Sequence, residues 1–129
     1  MKKSIKNLFL NSIIVLIVFT NCSKNQPRLV IEFNNNWKFL LGDDSSAYKY
    51  EYIDKNWRKL NLPHDWSIEG EFSANNPAGP GGGALPGGIG WYRKEFKIPS
   101  SWKGSKIFID FDGIYRNSSV WINGHFLGF

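Results

Sequence analysis

The 129 residues suffice for one domain, and 16 basic against 11 acidic side chains give a net charge of +5. Lys2, Lys3 and Lys6 are the only charges before Cys22, so the remainder carries +2, with no basic run longer than Arg58-Lys59 or Arg93-Lys94. That balance argues against a nucleic-acid-binding module, which needs a basic stripe.

The first 21 residues read as an address. Lys2, Lys3 and Lys6 precede the apolar stretches Leu8 to Leu10 and Ile13 to Phe19, too short to span a bilayer comfortably and followed by no second apolar run. Phe19-Thr20-Asn21-Cys22 then resembles a lipobox, with Asn21 where a small residue is usual. Cys22 is the only cysteine and stands where the apolar region ends. It is the expected lipidation site, which places the protein in a bacterial cell envelope as a membrane-anchored lipoprotein on the periplasmic or surface side. A lone Cys leaves no internal disulfide framework. Residues 22–32 form the lipidated Cys and its tether, and 33–129 the folded body.

The body reads as strands, turns and one long loop, with no segment holding helical periodicity for three turns. Trp37 to Leu41 is a short apolar run closed by the turn-rich Gly42 to Ser46. Tyr48, Tyr50 and Tyr52 alternate with polar residues. Trp57, Leu60 and Leu62 lead to Pro63. Ser73 to Gly90 holds seven Gly and three Pro in 18 residues, a length that implies function or disorder. Gly79, Gly81 and Ala84 fit a dinucleotide fingerprint, but Leu85-Pro86 follows where a helix should begin, so a phosphate cradle is rejected.

Trp91 to Ile98 lies between Gly90 and Pro99. Lys106 to Asp112 alternates, with Ile107, Ile109 and Phe111 on one face. Ser118 to Asn123 and His125 to Phe129 flank Asn123-Gly124, the strongest short hairpin signal. Six Trp, five Tyr and ten Phe suit the core of such a fold, because rings pack well on a pleated half-buried surface. Short strands at this spacing predict an all-β sandwich. The Asn117-Ser118-Ser119 sequon is read as chance.

Four ordered motifs carry a resemblance to a known family. They are Trp57-Arg58 with Leu62-Pro63-His64-Asp65-Trp66-Ser67-Ile68-Glu69-Gly70; Leu85-Pro86-Gly87-Gly88-Ile89-Gly90-Trp91-Tyr92-Arg93-Lys94; Phe111-Asp112-Gly113-Ile114-Tyr115; and Val120-Trp121-Ile122-Asn123-Gly124-His125. Together, across roughly residues 33–129, they resemble the β-galactosidase-like branch of family 2 glycoside hydrolases. The resemblance implies a sugar-binding jelly-roll β-sandwich with a galactose-binding-like fold. In the family it packs against an immunoglobulin-like domain and a TIM barrel whose two glutamates perform retaining hydrolysis. The barrel is not in these 129 residues, and with five or six strands before Phe129 the sandwich is expected to be incomplete at its C-terminal side.

No residue is assigned a catalytic role. Asp65, Glu69 and Glu71, and Asp110 and Asp112, lie close in sequence, but a retaining pair needs two carboxyls about 5 Å apart in a cleft, one with a raised pKa. Two histidines, His64 and His125, without a nearby Cys make a transition-metal site improbable, and no metal or cofactor is expected. His64, Asp65, Trp66, Asn75 and Asn76 mark a candidate sugar- or barrel-facing loop, with His64-Asp65 holding it by hydrogen bonds. Two functions follow as expectations. The first is the non-catalytic N-terminal portion of a β-galactosidase-like hydrolase, meeting carbohydrate through its full-length parent and the membrane through Cys22. The second is a stand-alone lipid-anchored carbohydrate-binding module.

Overall fold

The computed structural model describes residues 28–115 and 117–129. Cys22, the apolar segment before it and the tether as far as Pro27 lie outside the described residues. Residues 28–31, part of a separate unit Met1–Ile31, are exposed coil. The main unit runs from Glu32 to Phe129. Among the described residues no helix is long and apolar enough to cross a membrane.

The unit is all-β, with two antiparallel sheets. Strands β1 (Trp37–Leu41), β2 (Arg58–Leu60) and β3 (Gly90–Arg93) form one sheet in the order β2-β1-β3, and β4 (Val120–Ile122) and β5 (His125–Gly128) form the other. The register places Phe39 opposite both Arg58 and Tyr92, and Lys38 opposite Lys59 and Arg93. Because strand side chains alternate, Phe39, Arg58 and Tyr92 share one face, and Lys38, Leu40, Trp91 and Arg93 share the other.

The second face is covered by the segment before β2 and by the hairpin. Buried Asp54 accepts from Lys38 Nζ at 2.6 Å, and its other oxygen pairs with Arg93 Nε at 3.2 Å. The Arg93 guanidinium also donates to the carbonyls of Ala47, Lys49 and Tyr50, which pins that segment to β3. Trp121 of β4 stacks on Trp91 of β3 at 5.3 Å between centroids and on Tyr48 at 6.1 Å, joining the two layers. At the sheet end, Phe33 meets Trp37 and Phe96 edge-on, and Lys94 lies over the Phe33 ring.

Two segments show strand alternation without being strands. Tyr48, Tyr50 and Tyr52 lie in successive turns, with Lys49 N–H bonded to Ser46 O and Tyr52 N–H to Lys49 O, so their alternation does not mark a strand. Lys106 to Asp112 joins neither sheet ladder. Its alternation is that of a strand, yet pairing needs a neighbour that the residue pattern cannot locate. Among the described residues three short 3-10 turns occur, Trp66–Glu69, Pro80–Gly82 and Ser100–Trp102, each shorter than any helical periodicity.

The core is small. Phe39, Ala47 and Trp57 are its buried apolar residues, whereas Phe111 is 45% exposed, Leu127 62% and Phe129 98%. Phe111, Val120, Leu127 and Phe129 line a shallow apolar groove of about 290 Å³ beside β5.

Candidate functional site

His64 and Trp66, two of the candidate loop residues, lie against Phe39 of the sheet. Leu62 N–H bonds to Asn34 O, and the Leu62–Pro63 peptide bond is cis. The chain then turns over Phe39, whose ring meets the His64 ring edge-on at 5.0 Å and Tyr92 at 4.9 Å. The Arg58 guanidinium lies 5.2 Å above the same ring.

His64 is the hub of a polar network. Its Nδ1 is 2.8 Å from the Tyr92 hydroxyl, and its Nε2 is 2.9 Å from Arg58 Nη2 and 3.0 Å from Glu69 Oε1. The same Arg58 nitrogen lies 2.7 Å from Glu69 Oε2. Hydrogen bonding from Arg58, then from His64, holds the Glu69 carboxyl below the usual carboxylate range. Partial burial pushes the Tyr92 phenol up, helped by the negative charges of Asp65 and Glu69.

Asp65 caps the turn Trp66–Glu69. Its Oδ1 accepts from the Ser67 backbone N–H at 2.9 Å and from Ser67 Oγ at 2.6 Å, which draws its pKa down. Trp66, the first residue of that turn, fills the space beside Gly90. A β-carbon on Gly90 would lie 2.9 Å from both Trp66 Nε1 and Phe39 Cε2.

The glycine-rich segment is a tied coil. Ser73 N–H bonds to Ala84 O, and Ala84 N–H returns to Gly79 O at 2.7 Å. Asn76 staples the loop shut: its Nδ2 donates to Glu71 O and Ala84 O, both at 2.8 Å. The neighbouring Asn75 is exposed, with its backbone N–H on Ser73 Oγ at 3.2 Å. Leu85 and Pro86 are half-buried, whereas Ile89 is exposed.

The structure thus brings His64, Asp65 and Trp66 together against the sheet and sets Asn75 and Asn76 in the adjoining loop. His64 and Asp65 hold the chain by hydrogen bonds. Arg58, Glu69 and Tyr92, the partners of His64, were not singled out from sequence for that role. Glu69 at five residues from His64 was within reach of local reasoning; Arg58 and Tyr92 depend on strand register. The three carboxyls displaced from their ordinary pKa, Asp44, Asp65 and Glu69, are all displaced downward. A general acid for glycoside cleavage needs the opposite shift. Among the described residues no group of three or more His, Cys, Asp or Glu side chains could hold a metal ion.

No family model matches the chain. It is 54% identical over 102 residues to a β-galactosidase of Bacteroides ovatus, covering 79% of this chain and 12% of that protein. It is 46% identical over 101 residues to a putative β-glucuronidase of Formosa agariphila, covering 78% and 10%. Among solved structures, a β-glycosidase from Bacteroides vulgatus superposes with a TM-score of 0.69 at 49% identity, over 76% of this chain and 13% of that one. The chain therefore spans about an eighth or less of the length of the first two relatives.

Proposed function

The chain belongs to glycoside hydrolase family 2, the β-galactosidases and β-glucuronidases, and from that premise we propose that it is the non-catalytic sugar-binding-type domain of a β-galactosidase-like enzyme. The observation that carries this reading is the 54% identity to the Bacteroides ovatus β-galactosidase over a stretch that makes up 12% of it. Two features of the chain support it. Its displaced carboxyls are poised as anions within the frame, and its apolar groove at Phe111, Val120, Leu127 and Phe129 asks for a neighbour.

In this reading carbohydrate meets the parent enzyme, and the loop from His64 to Gly90, with Asp65, Trp66, Asn75 and Asn76, faces the sugar or the catalytic barrel. Asn75 is the exposed member of that set, whereas Asn76 and Asp65 hold the loop's shape. A β-glucuronide as substrate is the second reading, favoured by the 46% identity to the Formosa agariphila protein. A lipid on Cys22 would tether the enzyme to the cell envelope.

The test has two arms. The purified chain should leave chromogenic β-galactosides and β-glucuronides uncleaved; a rate that falls in Asp65→Asn or Glu69→Gln would refute the non-catalytic role. In a bacterium with lipoprotein processing, labelled fatty acid should enter the chain and be absent from Cys22→Ser. Equal labelling of both would refute the anchor.

A further inference from the structure

One ring nitrogen of His64 faces two partners with opposite demands. Nε2 lies 2.9 Å from Arg58 Nη2, which offers only hydrogens, and 3.0 Å from Glu69 Oε1, which as a carboxylate offers only lone pairs. It cannot accept from the first and donate to the second at once. We propose that His64 is a proton-linked latch: neutral, it accepts a hydrogen bond from Arg58 on β2; protonated, it donates one to Glu69 at the root of the glycine-rich loop.

Placing the hydrogens supports the two states. In the neutral state one N–H of Arg58 Nη2 points to Glu69 Oε2 at 2.7 Å and the other to His64 Nε2. The ring proton is then on Nδ1 and is donated to the Tyr92 oxygen at 2.8 Å. The Tyr92 hydroxyl in turn reaches the His64 carbonyl at 3.4 Å, so each of these four hydrogens has an acceptor. When a proton from water enters at Nε2, that N–H takes Glu69 Oε1. The second N–H of Arg58 then turns from the ring to Glu69 Oε1, 3.0 Å from Nη2, which leaves both N–H groups on the carboxylate.

The groups around the ring come from every packed element. Arg58 projects from β2, Glu69 from the turn Trp66–Glu69 and Tyr92 from β3; Asp65 adjoins in sequence, and β1 contributes the uncharged ring of Phe39. The ring itself is mostly enclosed, with 12% of its side-chain surface exposed. The exchange therefore moves the Nε2 tie of His64 from β2 to the segment that leads into the loop stapled by Asn76, while Nδ1 stays on Tyr92.

The ring tautomer tests this directly. With 15N-histidine in the full chain, long-range 15N–1H spectra should show the neutral His64 ring with its hydrogen on Nδ1, and the doubly protonated ring once acid is added. The exposed His125 provides the reference within the same molecule. Arg58→Met removes the donor and should move the neutral ring's hydrogen to Nε2, facing Glu69. A wild-type ring that carries its neutral hydrogen on Nε2 would overturn the proposal without recourse to any variant. So would an Nδ1–H tautomer that persists in a folded Arg58→Met chain.

Discussion

A β-carbon on Gly90 would lie 2.9 Å from the indole nitrogen of Trp66, so the residue that ends the glycine-rich segment and begins β3 is small because the ring after Asp65 occupies its side-chain space. Phe39 Cε2 closes the same space from the sheet, also at 2.9 Å. Gly90→Ala should therefore displace Trp66 or Phe39 and destabilise the fold by about 1–3 kcal/mol, the range for overpacking. Gly81→Ala, where nothing lies within 4 Å of the added carbon, should be neutral or slightly stabilising. Urea unfolding of the two variants side by side checks the contrast.

Asn76 should act locally. Its Nδ2 spans Glu71 O and Ala84 O, and Asn76→Asp keeps the shape while removing both donors. Loss of the staple should cost about 1–3 kcal/mol at the loop. Limited proteolysis should then cut between Ser73 and Gly90 well before the sheet is attacked. Asn75→Asp, whose side chain makes none of these bonds, should leave the cleavage pattern unchanged.

The parts of this fold legible in sequence are those that close locally. Asn123 and Gly124 both take positive φ, 50° and 81°, as a two-residue hairpin turn requires, and the strands on either side follow. Asp65 two residues before its acceptor-hungry Ser67 N–H is equally local. What escaped the sequence depends on register. Phe39 opposite Arg58 and Tyr92 assembles the His64 network from four separate segments, and the ion pairs of Asp54 with Lys38 and Arg93 join three. The segment from Lys106 to Asp112 shows the converse, a strand pattern without a ladder in either sheet. The long loop was recognised by its glycines, but its closure by Asn76 was not, because an Asn side chain on a backbone carbonyl leaves no periodic trace.

Acid should loosen the fold from the loops inward. Asp44 is held low by Ser46 and Tyr52, Asp65 by Ser67, and Glu69 by Arg58 and His64. Each carboxyl titrates lower in the folded chain than in the unfolded one. Its contribution is thus present above the ordinary carboxylate range and lost as the pH falls through the folded value. Tyr52, raised chiefly by its bond to Asp44, and Tyr92, raised chiefly by burial, act at the other end. Their contribution is complete below the ordinary phenol range and declines as the pH rises past it. Urea midpoints against pH should show both declines, and Glu69→Gln should flatten the acid one.

The groove beside β5 should make the isolated chain associate. Leu127 and Phe129 are largely open to solvent and Phe111 nearly half so, and fully covering a side chain of this size yields about 1.5–3 kcal/mol. The free edge of a short sheet adds a template for pairing. Sedimentation should find oligomers at micromolar concentration, and Leu127→Lys with Phe129→Lys should shift the chain toward monomer. A wild-type chain that remains monomeric would mean that the groove needs no partner.

The central claim is that residues 33–129 are a frame for a larger family 2 hydrolase, and a chimera tests it most directly. In the Bacteroides ovatus β-galactosidase, the 102-residue stretch that matches this chain at 54% identity can be replaced by the corresponding residues of this chain. The account predicts a folded enzyme whose kcat/KM on a chromogenic β-galactoside stays within about tenfold of the parent, a change of no more than about 1.4 kcal/mol in the barrier. A soluble, folded chimera with no measurable turnover would contradict it.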